Sequence, residues 1–142
     1  MLNDIVAVNG TIKTNIEATL SSGILESPMF GSNIKVSSGN FITARPLGVI
    51  DGVDMELTGQ IRRIDTNAIT DKLSNKEIVI ISPLGYSPIG DIFNLSYEQT
   101  AAHVAQAIKA EKLIYYINAN GILNIRGELI PELTISRAKH LI

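Results

Sequence analysis

The run Glu-Ile-Val-Ile-Ile-Ser-Pro at residues 77–83 constrains the fold more than any other stretch of the chain. Its consecutive β-branched residues leave no polar side for water, so it reads as a strand covered on both faces, the kind found inside a parallel sheet. Residues 84–95 contain Gly85, Pro88 and Gly90 and read as a loop or hairpin at the carboxyl end of that strand. Ser96, followed three positions later by Gln99, is a capping-box signature. Ala101, Val104, Ala105 and Ile108 continue it as one helical stripe as far as Lys109. Leu-Ile-Tyr-Tyr-Ile at residues 113–117 reads as a second buried strand. A strand, helix and strand in this order form a crossover, which specifies a parallel sheet with helices packed on its faces.

Upstream, Ile5, Val8, Ile12, Ile16 and Leu20 recur at three- and four-residue steps and predict a helix over residues 4–22. Gly10 weakens that helix by roughly 1 kcal/mol relative to Ala, and Gly23 is a suitable stop. Residues 34–47 alternate around Ser38-Gly39-Asn40 and predict two short strands or one bent strand. Asp51-Gly52 and Thr58-Gly59 mark turns in a hairpin-rich patch. Asp65 or Thr66 can cap a short helix carrying Ala68, Ile69 and Leu73 on one side. After the Asn120-Gly121 turn come two short extended pieces around Arg126-Gly127, then a closing helix from Ser136. The class is α/β, a mainly parallel sheet with flanking helices plus an antiparallel hairpin region.

Composition narrows the function. A length of 142 residues suits one domain. A net charge of −2 supplies no basic field for nucleic acid. The absence of Cys removes disulfides, thiolate metal sites and Cys nucleophiles together. The N-terminus lacks the pattern of a secretory signal, and no apolar run approaches the ~20 residues of a membrane span, so a cytoplasmic location is expected.

Standard catalytic motifs are missing. There is no phosphate loop and no dinucleotide fingerprint, and Gly-Tyr-Ser-Pro-Ile-Gly at residues 85–90 has one residue too many for a nucleophile elbow. His103 falls opposite the apolar stripe of its helix and reads as a surface residue, and His140 sits at a helix C-terminus. Arg62-Arg63 could grip an anionic ligand or sit at a surface or subunit interface; adjacent strand residues point to opposite faces, which argues against one shared pocket. Asn94 and Glu98 lie where an α/β sheet places ligands, between a strand end and a helix N-terminus. On spacing alone, loop stabilisation by Asn94 and dipole complementation by Glu98 are the leading reading.

The pattern SGNF-x-x-A-x-PLGV-x-DGVD-x-x-x-x-G-x-IRRID at residues 38–65 resembles the amino acid kinase-like domain of the bacterial N-acetylglutamate synthase family. So do the Ile-x-x-x-Leu, Phe-Asn-Leu-x-x-Glu and Lys-Ala-Glu-Lys-Leu-Ile segments that follow, and the likeness extends loosely over the whole chain. It implies a partial amino acid kinase-like domain over residues 1–142, without the acetyltransferase domain that moves acetyl from acetyl-coenzyme A to glutamate in arginine biosynthesis. The coenzyme A loop [QR]-x-x-G-x-[GA] has no match here, so the resemblance implies no cofactor for this chain and acetyl-coenzyme A for the full-length family.

The related acetylglutamate kinase carries Asn-x-Asn-x-Asp, to which Asn94, Ser96 and Glu98 correspond. The first would contact acetylglutamate and the last would orient phosphate-binding lysines. Its nucleotide turn resembles Asn118-Ala119-Asn120-Gly121, with Asn118 in place of an Asp. The kinase's phosphate loop would lie before Met1, which makes Asn94 and Glu98, and Asn118 and Gly121, vestiges of a substrate and a nucleotide pocket. The implied role is a regulatory or scaffolding segment, inactive alone, that forms a homo-oligomer. The alternatives are a stand-alone ligand-binding or assembly module beside a separate acetyltransferase, and a degenerate kinase. A small amino-acid-like ligand is compatible with each.

Overall fold

The computed structural model describes residues 2–22, 25–28, 30–32 and 34–140. The expected helix stop at Gly23 and the last two residues of the closing helix lie outside the described residues. The chain opens with α1 (Leu2–Ser22). Four of its hydroxyls stay inside the helix: Thr11, Thr14, Thr19 and Ser21 each donate to the carbonyl four residues back, at 2.7–3.0 Å. Side chains that compete with helical hydrogen bonding elsewhere are thereby tied into it. The expected apolar stripe is present but largely open, with Val8, Ile12 and Ile16 exposed.

The strands β1 (Val36–Ser38), β2 (Ile42–Pro46), β3 (Val49–Ile50), β4 (Val53–Asp54) and β5 (Gly59–Ile64) precede α2 (Thr66–Ser74). They are followed by β6 (Ile78–Ile80), β7 (Leu84–Tyr86), β8 (Ile92–Asn94), α3 (Tyr97–Ala107) and α4 (Ile135–Lys139). A four-stranded mixed sheet has the order β5-β2-β7-β8, β1 and β6 form a parallel pair, and β3 and β4 form a small antiparallel hairpin. This is the expected α/β class with an antiparallel hairpin region, and its parallel contacts are β1 with β6 and β2 with β7.

The core is the face of the mixed sheet that carries Ile42, Ala44, Phe93 and Leu95, closed by Ile61, Ile81 and Val104. Val104 brings α3 onto that face. The strands approach closely because two glycines allow it. A Cβ on Gly85 would lie 2.4 Å from the Cβ of Ala44, and one on Gly59 would lie 2.5 Å from the Cβ of Phe93. Asp65 caps α2 by accepting from the Ala68 N–H at 3.0 Å, and Ile69, only 1% exposed, anchors the helix. Leu73, expected on the same buried side, is exposed instead.

Three further expectations fail. The apolar run at residues 77–83 contributes only the three residues of β6 to a strand, and Ile78 is 41% exposed, so the run is not covered on both faces. Residues 113–117 form no strand, Tyr116 is 96% exposed, and the crossover unit is absent. The physical reason is shared: β-propensity expresses itself only where a neighbour completes the ladder. In its two-stranded sheet β6 has β1 alone, and residues 113–117 pair with no described strand.

The third concerns Arg62 and Arg63. Thr43 pairs with Arg63 but Ala44 pairs with Ile61, so Arg62 is an extra residue on β5, a β-bulge. The bulge interrupts the alternation of faces, and both arginines line one cleft rather than pointing apart.

Replacing Gly85 with Ala should lower the urea midpoint, with a loss of about 1–3 kcal/mol from overpacking. A Cβ on Gly10 would meet nothing within 4 Å, so Gly10→Ala should raise the midpoint, by up to about 1 kcal/mol. An unchanged midpoint for Gly85→Ala would contradict the tight β2–β7 approach.

Candidate functional site

The hairpin β7–β8 turns at residues 87–91, where the Ser87 N–H donates to the Asp91 carbonyl at 2.9 Å and the Gly90 N–H donates to the Ser87 carbonyl at 3.1 Å. Gly90 takes a φ of 98° there, a conformation that costs a residue without Cβ little. The hairpin delivers Asn94 as the last residue of β8. The Asn94 N–H donates to the Leu57 carbonyl at 2.9 Å, and Thr58 bridges Asn94 in parallel fashion, so the segment after β4 folds over the end of β8.

A cleft of about 330 Å³ results, lined by Leu2 and Ile5 of α1 together with Met55, Leu57, Thr58 and Asn94. The Asn94 carboxamide is half-buried and has no side-chain hydrogen bond among the described residues, which leaves a donor and an acceptor for a ligand. Asp54 and Glu56 also line the cleft, and the Asp54 carboxylate accepts the Glu56 N–H at 2.9 Å. Two carboxylates beside one amide favour a ligand bearing a cationic amino group and oppose a dianion. Thr58 and Leu57 were not among the sequence candidates. Thr58-Gly59 reads as a turn, and no local signal announces the fold-over onto Asn94.

Glu98 stands apart from that cleft, on the exposed first turn of α3. Ser96 caps this helix, accepting from the Gln99 N–H at 3.2 Å and donating to the Glu98 carboxylate at 2.9 Å. The Tyr97 hydroxyl, the backbone N–H of Glu98 and the Ser96 hydroxyl, in that order, hold the Glu98 carboxyl below its ordinary range. Tyr97 is pushed up in return by its hydrogen bond to Glu98 and by that residue's charge. The Glu98 carbonyl accepts from the Tyr115 hydroxyl at 2.8 Å, which ties residues 113–117 to α3.

Asn118 is exposed. Gly121, with φ of 130°, supports a turn packed against Leu129, next to a bridge between Leu123 and Leu129. Neither residue lines the Asn94 cleft. His103 is exposed, its Nδ1 2.7 Å from the Gln99 carbonyl, and His140 is exposed at the end of α4, as expected for surface residues. Among the described residues, no group of three His, Asp or Glu could hold a metal ion, and no helix is long and apolar enough to cross a membrane.

The match to the amino acid kinase family runs over residues 7–141, and the chain belongs to that family. Within it, the chain is similar to proteins named amino-acid acetyltransferase. It is 47% identical over 130 residues to the one from Ralstonia nicotianae, covering 92% of this chain and 29% of that protein. It is 46% identical over 132 residues to the one from Pseudomonas aeruginosa, covering 93% and 31%. The N-acetylglutamate synthase from Neisseria gonorrhoeae, solved with coenzyme A and L-arginine, superposes with a TM-score of 0.90 at 40% identity over 99% of this chain and 33% of that one. The chain thus spans about a third of the length of the relatives it matches.

Because its folded-state pKa is lowered, ionised Glu98 favours the folded state at pH above its ordinary value, and that contribution fades as pH falls through the lowered value. A carboxyl NMR titration should place the Glu98 midpoint below that of a free Glu, and Tyr97→Phe should move it upward. A midpoint insensitive to Tyr97→Phe would exclude the hydroxyl as the main cause. Ser96→Ala should cost about 1 kcal/mol of stability through loss of the cap, read from thermal or urea unfolding.

Proposed function

We propose that this chain is the regulatory and scaffolding kinase-like segment of an N-acetylglutamate synthase, acting in the cytoplasm in arginine biosynthesis, and that these 142 residues transfer neither acetyl nor phosphoryl groups by themselves. The observation that carries this reading is the scattering of the kinase-like positions. Asn94 lines a cleft with an acidic rim, Glu98 is engaged with Ser96 and Tyr97 on an exposed helix turn, and Asn118 and Gly121 belong to a separate turn. Phosphoryl transfer depends on positioning and charge stabilisation around one reacting centre, and these side chains share none. The continuous similarity to an N-acetylglutamate synthase over 99% of the chain supports the family role. The acetyl-coenzyme A chemistry and the acetyltransferase domain belong, in this reading, to the remainder of such a protein or to a separate subunit.

Incubating the purified chain with acetyl-coenzyme A and glutamate, and separately with ATP and N-acetylglutamate, should give no turnover above buffer. An NMR titration with N-acetylglutamate should leave the Leu57, Thr58 and Asn94 amide signals unmoved, because Asp54 and Glu56 oppose its two negative charges in that cleft. Formation of acetylglutamate by the chain would overturn the inactive reading, and ATP binding with phosphorylated product would establish a surviving kinase.

A homo-oligomer is part of the same proposal, on the strength of the apolar residues left open along α1 and at residues 113–117. Light scattering at micromolar concentration should give a mass above that of one chain, and a monomer mass would remove this part.

A further inference from the structure

We propose that the face of the mixed sheet around the β5 bulge binds a small oxyanion carrying two negative charges, a phosphate ester or a dicarboxylate. The site is distinct from the Asn94 cleft and does not depend on the function proposed above. Pairing places it. Arg63 lies opposite Thr43 across β5 and β2, and Thr43 lies opposite Tyr86 across β2 and β7. Residues directly opposite one another in a sheet share a face, so Arg63, Thr43 and Tyr86 form one row across three strands. The extra residue in β5 then adds Arg62 to the same side.

A cleft of about 540 Å³ opens over that row, and Asn40 and Ser87 complete its polar wall. Its lining holds two guanidinium groups and no carboxylate, in a chain whose net charge is −2. Of the acidic residues nearest in sequence, Asp65 caps α2, and Asp91, which does not line the cleft, accepts at 3.0 Å from the hydroxyl of the lining residue Ser87. Among the described residues neither Arg62 nor Arg63 has an ion-pair or hydrogen-bond partner for its side chain. Two adjacent guanidinium groups repel each other, and an anion with two or more oxygens relieves that repulsion while accepting parallel N–H bonds from both forks. Thr43 and Asn40 supply neutral donors beside them.

The test is an NMR titration of the ¹⁵N-labelled chain with sodium phosphate and, separately, with glutarate, at an ionic strength fixed with sodium chloride. Saturable shifts should appear at Asn40, Thr43 and Ser87 and at the arginine Nε signals. Arg62→Gln and Arg63→Gln should each weaken binding at least about fivefold, and the double variant should abolish it. Arg62→Lys, which keeps the charge and loses the fork, should fall between wild type and Arg62→Gln. Saturation by phosphate alone assigns the site to a phosphate group, and saturation by glutarate alone assigns it to a dicarboxylate. The proposal is overturned if neither anion saturates, if the double variant binds like wild type, or if Arg126→Gln, far along the chain, weakens binding as much as Arg62→Gln.

Discussion

The structure depends on how closely β2 can be flanked. Its two inward residues, Ile42 and Ala44, are 2% and 1% exposed, and they hold that position because the neighbouring strands carry glycine where a side chain would collide. Gly85 lets β7 lie against Ala44, and Gly59 leaves room for Phe93. The apolar core formed this way is small. Interiors packed this densely tolerate little change in volume, so the sheet register is fixed by the absence of atoms as much as by their presence. Both clefts follow from that register: Asn94 sits at the end of β8, and the Arg63–Thr43–Tyr86 row crosses the middle of the sheet.

What the sequence makes legible is what is decided locally. Asp65 and Ser96 each satisfy an N–H at the start of a helix, and both caps form where the residue pattern places them. The turn of the β7–β8 hairpin is likewise written in Pro88 and Gly90, and the two short strands around Gly39-Asn40 form as β1 and β2. The long pattern at residues 38–65 carries the family, which the similarity over residues 7–141 bears out.

Less legible is whatever requires a distant partner. The Leu-Ile-Tyr-Tyr-Ile run has the composition of a strand but meets no ladder, and its Tyr115 hydroxyl instead bonds to the Glu98 carbonyl. The kinase-like positions line up along the chain, yet Asn94 and Glu98 diverge because one ends a strand while the other begins a helix. The bulge left a trace that alternation alone would have exposed: Ile61 and Ile64 both turn inward although they are three residues apart, which a regular strand forbids.

That irregularity also bears on how copies of this chain could meet. As an outer strand of the mixed sheet, β5 presents backbone groups that another strand could extend. The added residue twists it locally and breaks the even spacing of those groups, and two exposed cations crowd the same stretch. An incoming strand would have to bend around the irregularity and confront both charges, so continuous sheet growth from this margin is disfavoured. Association, where it occurs, is thereby directed to side-chain surfaces such as the open stripe of α1, whose contacts are reversible and limited in extent, and away from open-ended polymerisation.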